Sequence, residues 1–182
     1  KFLSFSEVAY FTAANRLAFL ASFTLIAVNL VVAPKFANLY SIGEFKKINS
    51  LSLMSGRILL LISSPILLAM FIFPDFLLSF FGDEYRNYYN ILRILAIGQL
   101  INIMTGSVGF LLNMTGHEED LRNIVILSGL ISFVFSFILT PIIGIEGAAI
   151  ASSLSLIIQN LLCVYMVKKR LGFNSMNLFR TV

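Results

Sequence analysis

Charge is what this chain has least of. Thirteen Lys and Arg and nine Asp and Glu make up 12% of its 182 residues, where soluble domains carry roughly 25%. A soluble fold of this length would bury about 70% of its unfolded surface and would still need a polar exterior that so few charges cannot supply. With 58% hydrophobic residues and a mean hydropathy of +0.92, the chain is excluded as an ordinary water-soluble globule, and lipid is its solvent. One cysteine, Cys163, and one histidine, His117, support neither a disulfide scaffold nor a zinc site, and no cofactor is expected. The net charge of +4 does not point to nucleic acid, because the basic residues are scattered between apolar runs rather than gathered with aromatics on one surface.

Catalytic patterns are missing as well. There is no Gly-rich phosphate loop ending in Lys-Ser/Thr, and His117 has acids beside it without a nucleophile at a recognisable spacing. No carboxylate falls at the middle of an apolar run, so no proton-relay acid is visible. The cluster His117-Glu118-Glu119-Asp120 would suit a divalent ion, but a short charged connection between helices is ordinarily solvated, and that is the preferred reading. No enzyme activity is expected.

What is present is a series of long apolar runs, each near the ~18 residues that read as a membrane-spanning helix. Five follow one another at about 8–34, 51–73, 89–113, 121–143 and 148–167, which makes the fold class all-α integral membrane. Ser4-Phe5-Ser6-Glu7 has the spacing of a capping box ahead of the first run. Pro34, Pro74 and Pro141 fall near segment ends, whereas Pro65 lies inside the second run and removes a backbone donor, so a kink near Ser63-Ser64-Pro65 is expected. The chain opens at Lys1 without an initiator Met or a basic stretch before a cleavable apolar segment. It therefore reads as a piece of a longer polypeptide, not as one led by a secretory signal.

Orientation follows from the basic residues. Lys35, Lys46, Lys47, Arg57, Arg122, Lys168, Lys169, Arg170 and Arg180 fall on one side, against Lys1, Arg86 and Arg93 on the other. The richer side is expected to be cytoplasmic, with the C-terminus inside. The stretch Pro74 to Tyr88, with Phe76, Leu77, Leu78, Phe80 and Phe81, then reads as a short interfacial element on the outer face.

Arg16 is the informative charge. It stands about twelve residues beyond Ser4, or ~18 Å along a helix. A lipid-facing arginine at depth costs at least ~2.5–3.5 kcal/mol, so such residues normally face a protein interior or a wet cavity and mark a pathway. The competing reading is snorkelling, because a helix from Val8 to Pro34 spans ~40 Å against a ~30 Å hydrocarbon slab. At 100° per residue Thr12, Asn15, Arg16, Ser22 and Asn29 are expected on one side of the first helix. Gln99, Asn102, Gly106, Gly109 and Asn113 form a second stripe on the third. The two stripes would either face one cavity or pack helices together; packing is the preferred role for the glycines, while Asn15, Asn29, Gln99 and Asn102 stay open between the two. Arg57 and Arg93, a turn or two inside their spans, read as snorkelling. Ser128, Ser132 and Ser136, with Ala148, Ser152 and Ser155 around Gly144-x-x-Gly147, read as close helix contacts, and Gln159 and Asn160 suit packing or lining equally.

Several short patterns occur in one order: Ala33-Pro34-Lys35 through Tyr40 and Gly43; Leu78-Ser79-Phe80-Phe81-Gly82 with Tyr85; Leu111-Leu112-Asn113-Met114-Thr115-Gly116-His117; and Gly144-Ile145-Glu146-Gly147-Ala148-Ala149-Ile150-Ala151. In these the chain resembles the C-terminal half of bacterial polysaccharide (O-antigen type) flippases, within the multidrug/oligosaccharidyl-lipid/polysaccharide exporter superfamily. The resemblance implies most of one bundle of a twelve- to fourteen-helix transporter of the inner (cytoplasmic) membrane, with residues 1–182 as the C-terminal bundle and the N-terminal bundle as a missing partner. It implies flipping of undecaprenyl-pyrophosphate-linked oligosaccharide by alternating access, for surface polysaccharide biosynthesis. Arg16 would meet the pyrophosphate, and Asn15, Asn29, Gln99 and Asn102 the sugars. The rivals are a drug or metabolite exporter of the same superfamily, then a membrane enzyme acting on lipid-linked sugars, then a purely structural membrane subunit.

Overall fold

The computed structural model describes residues 3–176; Lys1 and Arg180, both counted in the charge asymmetry, lie outside the described residues. Among the described residues seven α-helices follow in order: α1 (Phe5–Ser41), α2 (Phe45–Ile72), α3 (Pro74–Ser79), α4 (Tyr89–Thr105), α5 (Val108–Met114), α6 (Glu118–Ile143) and α7 (Ile145–Leu171). A 3-10 helix (Asp83–Tyr88) stands between α3 and α4. α1, α2, α6 and α7 are each long and apolar enough to cross a membrane, and α4 with α5 makes a fifth span if the bent pair counts as one.

The capping box forms as its spacing demands. Ser4 Oγ accepts from the Glu7 amide at 3.3 Å, and Glu7 Oε2 accepts from the Ser4 amide at 2.7 Å. The first helix does not stop at Pro34 but runs on to Ser41. A proline removes one backbone bond, and here Ala33 and Phe36 on either side are buried and hold the helix against its neighbours. Inside α2, Pro65 leaves the Leu61 carbonyl without its amide, and the Ser64 hydroxyl donates to that carbonyl at 3.0 Å. The neighbouring serine thus supplies the bond that the proline cannot, which is how membrane helices tolerate proline.

The third span departs most from expectation. It is not one helix from Tyr89 to Asn113 but two, broken at Gly106-Ser107 with a 46° bend between the segment Asp83–Thr105 and α5. Gly106 sits at φ 70° and ψ −142°, a conformation open to glycine and costly for any other residue. The carbonyls freed at the break find partners nearby: Gly106 N donates to Ile103 O at 3.1 Å, and the Thr105 hydroxyl to Asn102 O at 2.9 Å.

α1 and α2 form an antiparallel pair, α6 and α7 another, and α4 packs against α1, α2 and α7. Two cores fill the opposite ends. Near the capped end Ala14, Leu67, Leu78, Ile91, Leu92 and Ile145 are buried together; near the basic end Phe36, Ile48, Leu111, Leu112 and Val167 form the second cluster. The α6–α7 contact is the closest, since a Cβ on Gly147 would stand 2.5 Å from the Leu139 carbonyl. The Ser155 hydroxyl donates to Ser128 O across the same pair. Along α6 only Ile124, Ser128 and Thr140 are buried, while Leu130, Phe133, Phe137 and Ile142 face outward, as lipid solvation requires.

The interfacial stretch is helical, with one face buried and the other exposed. Pro74 and Leu78 point into the bundle while Phe76 and Phe80 stand exposed, their rings edge to face at 5.2 Å. Tyr10 of α1 stacks on Tyr88 at 4.1 Å and meets Tyr85 edge-on at 4.8 Å, which ties the start of α1 to the 3-10 helix.

Candidate functional site: a packed polar chain and an exposed cationic face

The polar residues of α1 do not share one side. Ser22 and Asn29 are turned into the bundle, 7% and 1% exposed, whereas Thr12, Asn15 and Arg16 are on the outer surface. At 100° per residue the five positions spread across more than a third of the helix circumference. Packing of α4 against α1 covers one edge of that arc and leaves the other open.

The buried edge joins a chain of hydrogen bonds through the middle of the bundle. Ser22 Oγ donates to Gln99 Oε1 at 2.7 Å, and Asn102 Nδ2 donates to the same oxygen at 3.1 Å. One turn on, the Thr105 hydroxyl reaches Asn160 Oδ1 of α7 at 3.0 Å, and Asn160 Nδ2 donates to Leu156 O at 2.9 Å. α1, α4 and α7 are thus linked through side chains that complete one another, at ~0.6 kcal/mol per typical interhelical bond in a membrane. Asn29 lies seven residues beyond Ser22 and makes no hydrogen bond with either amide atom among the described residues. The second expected stripe is interrupted by the break at Gly106, which leaves Asn113 exposed on α5 and out of line with Gln99 and Asn102.

The exposed edge carries Arg16. Among the described residues its guanidinium has no ion-pair partner. Its neighbours along the same face are Phe19, Leu20 and Phe23, the two rings 5.6 Å apart and all three side chains exposed. Arg16 is ~18 Å from Ser4 and ~28 Å from Lys35 by helical rise, far from both ends of α1. A lone cation in such apolar company is costly against lipid and inexpensive against water or an anion. A guanidinium offers a planar fork of donors matched to phosphate oxygens.

A second arginine inside a span, Arg93, is occupied. Arg93 Nε donates to Phe71 O at 3.3 Å, and its guanidinium lies 5.2 Å from the Tyr89 ring, near the capped end. Among the described residues there is no group of three His, Cys, Asp or Glu able to hold a metal ion.

Three features escaped the sequence reading. Asp120, grouped there with a solvated acidic run, accepts from Arg170 Nε at 2.7 Å and Nη2 at 3.1 Å. The pair clamps the start of α6 to the end of α7. The signal was available, because an antiparallel pair with a short turn places those two ends side by side. Gly98 was not singled out, yet a Cβ there would stand 3.1 Å from Ser153 Cα, and Ser153 Oγ donates to Ile94 O at 2.8 Å. The third is a groove between α1 and α2, about 360 Å³ in volume, walled by Val28, Val31, Leu51, Met54 and Ile58.

No match was found among curated proteins or among solved structures. A family model does match, that of MatE, over residues 2–142, which takes in α1 through nearly all of α6 and leaves α7 and the Gly144–Ala151 pattern beyond it. MatE proteins are membrane transporters of the multidrug/oligosaccharidyl-lipid/polysaccharide exporter superfamily. With a match across well over half of its length joined to an all-helical array of four to five potential spans, this chain belongs to the MatE family.

Proposed function

We propose that the chain forms one helical bundle of a flippase that moves undecaprenyl-pyrophosphate-linked oligosaccharide across the cytoplasmic membrane by alternating access, with the basic end and C-terminus inside and a second bundle supplied by the rest of the polypeptide. The observation that carries this reading is Arg16: a cation without an ion-pair partner among the described residues, on an exposed helix face, far from both helix ends. A pyrophosphate passing between two bundles would meet that guanidinium as a bidentate acceptor, and the adjoining amide of Asn15 suits sugar hydroxyls. Gln99 and Asn102 act in this reading as the brace behind α1, because their hydrogen bonds are made within the bundle. Asn29 keeps unpaired amide atoms at the level where α4 breaks.

The exposed Phe19 and Phe23 and the apolar α1–α2 groove favour a second reading, an exporter of apolar organic cations, in which the exposed rings and not Arg16 would meet the cargo. The full-length protein in liposomes separates the two. Transfer of pyrophosphate-linked oligosaccharide lipid by wild type, lost in Arg16→Gln at equal folded protein and only partly restored in Arg16→Lys, which keeps the charge without the planar fork, supports the flippase. Export of small organic cations, with no transfer of several such lipids, overturns it.

A further inference from the structure

The groove between α1 and α2 is not closed at its basic end. Lys35 and Leu51 border both the apolar groove and a second hollow of about 360 Å³, which Asn38, Leu39, Ile42 and Lys47 complete. The two adjoin at those shared residues and are taken together as one furrow. From Lys35 to Ala27, the innermost α1 residue of its wall, helical rise gives a depth of ~12 Å. Val31 and Met54 at its edge are 59% and 60% exposed, so a chain in the surrounding lipid enters sideways without displacing a packed residue.

Its mouth is cationic. Lys35 has no ion pair among the described residues, and Lys47 donates to Glu44 at 3.1 Å while remaining 65% exposed. With the adjoining Lys46, three ammonium groups stand against the one carboxylate of Glu44 around the turn that joins α1 to α2. The walls offer little to a sugar: Ser55 gives its hydroxyl to Ser52 O at 2.9 Å, and Asn38 is the one amide. An apolar furrow with a lysine rim at the end of a helical hairpin has the chemistry of an amphiphile with a single acyl-like tail and an anionic head, and basic pockets between membrane helices hold such headgroups.

We infer that this furrow is a binding site for an anionic phospholipid of the bilayer, its phosphate between Lys35 and Lys47 and one acyl chain along Val31, Leu51 and Met54. The site is separate from the cargo path argued through Arg16 and stands whether or not the flippase reading does. Attraction of about 1 kcal/mol per lysine at a membrane surface amounts to about fivefold in affinity per lysine.

The test is native mass spectrometry of the full-length protein in detergent, titrated with phosphatidylglycerol or with phosphatidylcholine of the same chains. Wild type is expected to hold phosphatidylglycerol at least tenfold more tightly. Lys35→Gln with Lys47→Gln lowers that affinity by tenfold or more. Lys168→Gln with Lys169→Gln, equal in charge removed but at the end of α7, leaves it within twofold. Val31→Trp, which fills the furrow and keeps both lysines, weakens binding as well. Equal affinity for the two lipids, equal loss in the two lysine pairs, or no loss in Val31→Trp overturns the site. Displacement of phosphatidylglycerol by an equimolar polyprenyl phosphate assigns the furrow to cargo and overturns the assignment to a bilayer lipid.

Discussion

The two edges of α1 carry similar side chains and put them to opposite use. On the inner edge Ser22 gives its proton to Gln99, Gln99 is shared with Asn102, and the chain continues through Thr105 to Asn160. On the outer edge Asn15 and Arg16 stand exposed among Phe19, Leu20 and Phe23. Inside, each polar group raises the stability of the bundle because its alternative is an unmet donor in an apolar medium. Outside, Arg16 adds nothing to packing and would be a liability if lipid were all it met. A polar residue in a membrane helix is thus not in itself evidence of a path; whether neighbouring helices have already satisfied it decides.

That contrast is open to attack from several directions. The largest effect is expected at the tightest helix contact. Gly147→Val places a side chain against the Leu139 carbonyl and costs about 3 kcal/mol or more by overpacking, read as loss of folded protein in detergent. Next is Gln99→Leu, which strands the Ser22 hydroxyl and the Asn102 amide and lowers stability by about 1–3 kcal/mol; an unchanged melting temperature would remove the inner edge from the comparison. Asp120→Asn weakens the clamp with Arg170 and lowers the melting temperature slightly, with the loss shrinking in high salt because the pair is at the surface. Smallest of all, Arg16→Gln leaves stability within about 0.5 kcal/mol while lipid transfer falls. A large drop in stability there would mean that Arg16 braces the protein, and the contrast between the edges would collapse.

Much of the architecture was legible because lipid imposes a simple demand: every apolar run long enough to span must satisfy its backbone internally. That fixed the helical class, the number of potential spans and, through Ser4 and Glu7, the start of α1. The break at Gly106-Ser107 was not legible, since the apolar run passes through it unchanged and a glycine in a membrane helix serves packing as readily as bending. Pro34 misled for a related reason: its effect on helix ends depends on whether flanking residues such as Phe36 are packed. The split of the α1 stripe depended on which arc α4 would cover, a tertiary fact that helical periodicity alone does not contain. Arg16 stood out from the beginning because a charge far from both helix ends is rare enough to need an explanation whatever surrounds it.

The central claim is that the Arg16 face of α1 borders water and not lipid. Its most direct test is thiol labelling of Arg16→Cys in the full-length protein in sealed membranes, with other accessible cysteines replaced; Cys163, 2% exposed in the bundle, serves as the internal reference. The account predicts that a membrane-impermeant reagent labels position 16 from at least one side, and that excess pyrophosphate-linked oligosaccharide lipid slows the labelling. Resistance to the reagent from both sides, in protein that still folds and in which a cysteine in an exposed loop labels readily, would contradict it.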